Sequence, residues 1–213
     1  MKKLIVLLFG TALTFATSAF AGGMVGVKFG TGDLTGNADS YTSGGTTYSA
    51  ATGSKDSLYG AIFAEMDVPA AGPLENLSVG VEYVPLDADV SLDNKSAGTS
   101  ANVGDFTTIY AMISADTAGD ANVYAKLGYA MADVGTVKSK STVVSQDDSI
   151  EGYMIGFGLQ SDELAGGMVI RAEYTRTEFD DVSITTTSNG SASVKKTADG
   201  ELDTFTISLA KSF

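Results

Sequence analysis

The chain has 213 residues, with 26 Asp and Glu against 13 Lys and Arg, and a formal charge of −13. That balance argues against nucleic acid or anionic lipid as a partner. Neither cysteine nor histidine occurs, which removes disulfide staples, thiolate chemistry, the commonest general base and the usual nitrogen ligand of zinc, copper or iron. No catalytic site, cofactor site or metal site is expected on these grounds.

Residues 1–21 read as a secretory signal. Lys2 and Lys3 precede an apolar stretch from Leu4 to about Phe15, and small residues follow, ending in Ala19-Phe20-Ala21. Cleavage is expected after Ala21, with Ala19 and Ala21 as the small residues of the site. An uncleaved anchor is the alternative, but the apolar part is too short to span a bilayer. The remaining domain, residues 22–213, holds no other apolar run long enough for a transmembrane helix.

From Met24 onward, apolar residues alternate with small or polar ones and no long stretch has helical spacing, so the expected class is all-β. A first strand runs near Met24 to Gly32, with Val25, Val27 and Phe29 on one face and Gly26, Lys28 and Gly30 on the other. A second lies near Ser57 to Asp67; Tyr59, Ala61, Phe63 and Glu65 share one face and Leu58, Ile62 and Met66 the other, so its sidedness is open. The third, Leu77 to about Asp87, sets Val79, Val81 and Tyr83 against Gly80 and Glu82. The fourth, near Asp105 to Ala115, has β-branched and aromatic content but no decisive alternation.

The fifth strand, Asn122 to about Val134, places Val123, Ala125, Leu127, Tyr129 and Met131 opposite Lys126, Gly128 and Ala130. In the sixth, Ile150 to Gln160, Tyr153, Ile155, Phe157 and Leu159 face away from Gly156, Gly158 and Gln160. The seventh, Gly167 to Asp181, sets Met168, Ile170, Ala172 and Tyr174 against Arg171, Glu173 and Thr175; the eighth is Leu202 to Phe213. Short connections near Pro69 to Asn76, Asp116 to Ala121 and Ser161 to Gly166 alternate with long ones. A soluble sandwich has no reason for that alternation. An eight-stranded antiparallel up-and-down transmembrane β-barrel has one, because its turns are short on the periplasmic side and its loops long outside.

In such a barrel the apolar faces meet lipid and the opposite faces line the interior. The interior set is Lys28, Glu82, Lys126, Arg171 and Glu173, with Glu65 joining if its strand turns that way. Eight strands leave an interior just wide enough for side chains to fill, so these charges are expected to pair as a structural plug. The sharper alternatives are a narrow or gated conduit, or Glu82 and Glu173 working as acid and base. Phe29, Tyr83, Tyr129, Tyr153, Tyr174 and Phe179 are candidates for the interfacial aromatic girdles.

The loops are rich in Ser, Thr, Gly, Asn and Asp, and acidic clusters occur at Asp87, Asp89 and Asp93, at Asp147-Asp148 and at Asp180-Asp181. None has EF-hand spacing, so solvated charge is the expected role. Asn189-Gly190 lies between two alternating segments, which is a hairpin signal for a ribbon protruding beyond the membrane; a disordered loop is the alternative.

The last strand places Phe205, Ile207, Leu209 and Phe213 at alternate positions before an aromatic terminus, with Lys211 where a hydrophobic residue is usual. This resembles the C-terminal assembly signal of bacterial outer-membrane barrels. With the leader and strand count, the chain resembles the small OmpA/OmpX-type outer-membrane β-barrel domain family. The resemblance implies a monomeric, non-enzymatic barrel with a structural or surface-interaction role, exported to the outer membrane of a Gram-negative cell. Its expected partners are outer-membrane lipid, lipopolysaccharide and, through the last strand, the assembly machinery; no nucleic acid is expected. A porin-like passive conduit for small solutes or ions is the competing function.

Overall fold

The structure is a computed structural model and describes residues 22–43, 45–69, 72, 76–85, 88–92, 99–119, 121–135, 142–187 and 193–213. Ala19 and Ala21 of the expected cleavage site, Asp87, Asp93 and the Asn189-Gly190 turn lie outside the described residues.

Twelve strands are present among them: β1 (Gly23–Ala38), β2 (Tyr41–Ser43), β3 (Thr46–Tyr48), β4 (Ala51–Asp67), β5 (Leu77–Val84), β6 (Ala88–Leu92), β7 (Thr99–Asp116), β8 (Ala121–Val134), β9 (Thr142–Gln146), β10 (Ser149–Ser161), β11 (Met168–Thr187) and β12 (Val194–Ser212). Eight form a ring in the order β1, β4, β5, β7, β8, β10, β11, β12, every pair antiparallel. The ring closes between first and last strands, from Met24↔Ser212 to Ala38↔Ala198. Closure leaves no sheet edge to be satisfied by water, the condition for a β structure in lipid. The other four strands stand outside the ring: β6 pairs with β7 beyond the end of β5, β9 pairs with β11 beyond the start of β10, and β2 and β3 form a separate hairpin.

Both ends of the ring chain, Gly23 and Ser212, lie at the end of the barrel that carries the short connections. At the opposite end, β11 and β12 continue as a ribbon to Thr186↔Val194, past a register shift between Phe179 and Val182. The alternating segments on either side of Asn189-Gly190 pair in this ribbon, and β11 and β12 run well past Asp181 and Leu202, the strand limits expected from the sequence.

Neighbouring residues show which side is the core. Lys126 is 0% exposed and Leu127 is 67% exposed. Phe29, Ile109, Tyr153, Ile155, Phe157, Ile170 and Phe205 also stand on the exposed face, whereas among the described residues the buried ones include six charged side chains and fifteen serines, threonines or aromatics. In water, a belt of that area is far beyond what a soluble monomer tolerates. In hydrocarbon it costs nothing, and the polar interior is shielded.

Two open orientations are resolved. On β4, Tyr59, Ala61, Phe63 and Glu65 point inward and Leu58, Ile62 and Met66 outward. On β7, Phe106, Thr108, Tyr110 and Met112 point inward and Ile109 and Ile113 outward. A register shift between Gly104 and Thr107, with Asp105 at φ 50°, also turns Thr107 into the interior and blurs the alternation of that strand. One expectation is corrected: Phe179 is not part of an outer girdle but lies inside, edge-on to Phe106 with centroids 5.9 Å apart. It has room because its cross-strand neighbours are Gly152 and Gly200.

That pairing recurs. Gly26 faces Phe63 and Gly30 faces Tyr59 across β1 and β4, Gly80 faces Tyr110 across β5 and β7, and Gly158 faces Tyr124 across β10 and β8. A methyl at Gly80 would stand 2.5 Å from Cζ of Tyr110, and one at Gly158 2.5 Å from Cζ of Tyr124. Gly26, Gly80 and Gly158 are therefore each the seat of a ring, which covers the strand that the glycine leaves bare.

Candidate functional site: a charge network in the barrel lumen

The inward parity of five strands brings three cations and three carboxylates together in the middle of the barrel. Lys28 (β1), Lys126 (β8) and Arg171 (β11) meet Glu65 (β4), Glu82 (β5) and Glu173 (β11), and all six are buried. No carboxylate here is left without a cation. Lys28 Nζ lies 2.5 Å from Glu82 Oε2 and also donates to Glu173 Oε1. Lys126 Nζ lies 3.1 Å from Glu173 Oε2 and 3.6 Å from Glu82 Oε2, so two lysines and two glutamates form a closed quartet. Arg171 forms a separate forked pair, Nη1 to Glu65 Oε1 at 2.7 Å and Nη2 to Glu65 Oε2 at 2.6 Å. The fork matches two parallel N–H donors to two carboxylate oxygens, the strongest form of the contact.

Three tyrosines complete the network, two of them, Tyr110 and Tyr124, seated on glycines. Tyr59 donates to Glu82 Oε1 at 2.8 Å, Tyr110 to Glu65 Oε1 at 2.6 Å and Tyr124 to Glu173 Oε2 at 2.9 Å, one phenol per carboxylate. Arg171 Nε donates to Gln160 Oε1 at 2.7 Å. Lys126 Nζ also sits 3.8 Å from the Tyr110 ring centroid, and the Arg171 guanidinium 5.3 Å from that of Tyr124. The three tyrosines were not singled out in the sequence; their signal is a tyrosine at inward parity directly across from an inward glycine.

Apolar layers bound the network on both sides. Toward the chain ends lie Val169, Ala210 and Met24, and the Phe63 ring of the same cluster stands among the charges, its centroid 5.4 Å from Lys28 Nζ and 5.5 Å from the Arg171 guanidinium. Toward the far end lie Tyr59, Ala61, Val84, Phe106, Ala130, Ala132 and Phe179, with Leu34, Ile150 and Leu202 against them. Charges stacked between apolar layers sit in low dielectric, where pairing is obligatory and rearrangement costly. The hydroxyls of Thr206 and Ser208, buried on β12 beside the quartet, have no hydrogen-bond partner.

Of the remaining expectations, Phe205, Ile207 and Leu209 face outward on β12 and Phe213 is half exposed beside Gly23, to whose carbonyl its N–H donates at 3.1 Å. Phe29, Tyr129, Tyr153 and Tyr174 stand on the outer wall; Tyr129 meets Tyr153 edge-on at 5.5 Å and Tyr174 lies 5.3 Å from Phe157. Just beyond them Arg176 is held by Glu201, by Glu178 at 3.5 Å and by Asp203 at 3.7 Å. Asp147 Oδ2 accepts the backbone N–H of Ser183 at 2.8 Å, giving that acidic residue a structural contact.

No family model matches the chain, and no curated protein matches it in sequence. Among solved structures it is similar to the outer membrane protein OprG from Pseudomonas aeruginosa, with a TM-score of 0.58 and 12% identity over 91% of this chain and 97% of that one. Neisserial surface protein A (TM-score 0.45, 12% identity, 89% of this chain and 97% of that one) and the outer membrane protease OmpT from Escherichia coli (TM-score 0.47, 11% identity, 92% and 99%) are also similar. What is shared at such identities is the fold. The chain is thus an eight-stranded antiparallel barrel with the fold of the small outer-membrane β-barrel proteins.

Proposed function

We propose that the chain is exported by its leader, resides in the outer membrane and acts without catalysis, as a closed barrel whose lumen is a plug and whose far end presents a polar ribbon to the outside. The observation that carries this is the neutral, fully paired network between two apolar layers. Three cations against three carboxylates leave no net charge to attract an ion, and the apolar layers add a dewetted barrier on either side. Glu82 and Glu173 are each held between two lysines and a tyrosine, an arrangement that leaves neither carboxylate open to a substrate.

Orientation follows from the connections: the short ones and the chain ends face the periplasm, the ribbon and the long loops the exterior. Monomeric insertion, contact of the loops with lipopolysaccharide and engagement of Phe205, Ile207, Leu209 and Phe213 by the assembly machinery are parts of the same reading. Planar-bilayer recording of the refolded chain tests it. The expected result is a silent membrane; steady, ion-selective openings overturn the plug and favour a conduit.

A further inference from the structure

The outward residues Phe29, Thr31 and Asp33 form a column along β1, and the ladders set a neighbour on each side of them. Gly60 and Ile207 flank Phe29, Leu58 and Phe205 flank Thr31, and Asp56 and Asp203 flank Asp33. Thr31 is short and its neighbours are long, so the wall is slotted there, between the Leu58 and Phe205 side chains. Leu58, 82% exposed, is the barest large apolar side chain among the described residues. The slot has a volume of about 610 Å³ and a mostly apolar lining. That volume lies within the ~300–1,000 Å³ of ordinary ligand pockets.

Three carboxylates stand in one row across the end of the slot that points to the ribbon. Asp203 is engaged: it accepts from Tyr174 at 2.6 Å and lies 3.7 Å from the Arg176 guanidinium. Asp33 and Asp56 are not. They are exposed and directly opposite across the β1–β4 ladder, and among the described residues neither has a cation or a side-chain donor for a partner. Like charges so placed destabilise a sheet, and a cation set between them turns that repulsion into attraction. The excess of 26 acidic over 13 basic residues draws cations to the chain as well.

We propose that this slot binds one single-chain amphiphile with an ammonium head, its tail lying over Thr31 between Leu58 and Phe205 and its head between Asp33 and Asp56. Charge complementarity selects the occupant. A neutral amphiphile leaves the facing carboxylates unrelieved, an anionic one adds to their repulsion, and a bare cation leaves the apolar part unfilled. The inference rests on the membrane reading above, which sets the tail at the outer border of the lipid and the head in water.

The test is isothermal titration calorimetry of the chain refolded in maltoside micelles, with empty micelles as the blank. The probes are dodecylammonium, uncharged dodecanol and butylammonium, which has the head without the tail. A heat-modifiability gel shift first reports the barrel. The expected result is one dodecylammonium per barrel, held about tenfold more tightly than dodecanol, and no saturation with butylammonium. Asp33→Asn/Asp56→Asn removes the preference for the charged head, and Thr31→Phe, which fills the slot, removes saturable binding of dodecylammonium. A shifted barrel overturns the site alone if it binds dodecanol equally, saturates with butylammonium, takes up dodecylammonium without a plateau at one, or keeps its preference in the double Asn variant. A chain with no gel shift overturns the membrane reading and the site with it.

Discussion

Glu173 holds both lysines of the quartet and the Tyr124 phenol, so Glu173→Gln isolates what the network contributes. Neutralising it leaves Lys28 and Lys126 facing Glu82 alone, at 2.5 and 3.6 Å. At the effective dielectric of about 20 that suits such sites, each lost lysine–carboxylate contact is worth ~4 kcal/mol gross. The relieved desolvation of the carboxylate offsets part of this, and the Tyr124 bond to the amide oxygen survives. The net expectation is destabilisation by ~3–5 kcal/mol, as for other buried pairs deprived of one partner. The double variant Lys28→Met/Glu173→Gln leaves Lys126 matched by Glu82, and should recover ~2 kcal/mol relative to the sum of the single changes. Because the chain has no tryptophan, the assay is urea unfolding in lipid vesicles, read from the folded and unfolded bands of an unheated gel. A Glu173→Gln barrel within ~1 kcal/mol of the parent, or strict additivity in the double variant, refutes the view that the lumen is held by a matched charge set.

Other outcomes follow from the two faces of the wall. Leu127→Arg places a charge on the lipid side at mid-wall and should cost ~2–4 kcal/mol in the same assay. Gly80→Ala forces its methyl against the Tyr110 ring and should cost ~1–3 kcal/mol, much of it relieved in Gly80→Ala/Tyr110→Leu. Phe179→Ala should cost ~3–5 kcal/mol if the ring packs inside as described; a loss below ~1 kcal/mol, measured by the same unfolding, would return it to the outer wall. Replacing Val182–Ala198 by a two-residue Asn-Gly turn should leave the heat-modifiability shift intact, because β11 and β12 pair independently below the register shift.

How far the molecule is legible from its residues depends on what each strand has on its two faces. Where one face is apolar and the other small or charged, as with Val27 against Lys28 or Leu127 against Lys126, period two alone assigns the lumen. On β4 both faces are apolar, and parity leaves Glu65 undecided. The missing information is across the ladder: Gly26 on β1 opens space that the ring of Phe63 fills, which turns Glu65 inward with it. Tyr110 escaped for a different reason, since the bulge at Asp105 shifts the phase of β7. Phe179 was placed on the wrong side because an aromatic near a strand end reads as a girdle residue until its glycine neighbours on β10 and β12 are known. The extensions of β1, β11 and β12 outrun the apolar periodicity of the wall, and the short alternating segments on either side of Asn189-Gly190 are their one trace in the sequence.

The glycine seats have a consequence for how such a chain tolerates change over time. A ring and the bare strand beneath it occupy one volume contributed by two residues far apart in sequence, so neither is free to vary alone. Substituting the glycine is admissible once the ring has shrunk, and shrinking the ring uncovers a gap that a side chain on the other strand then fills. Gly80 with Tyr110, and Gly158 with Tyr124, should therefore drift as couples among descendants of this sequence. Such linked pairs, more than any single residue, would carry the memory of which strand lies beside which.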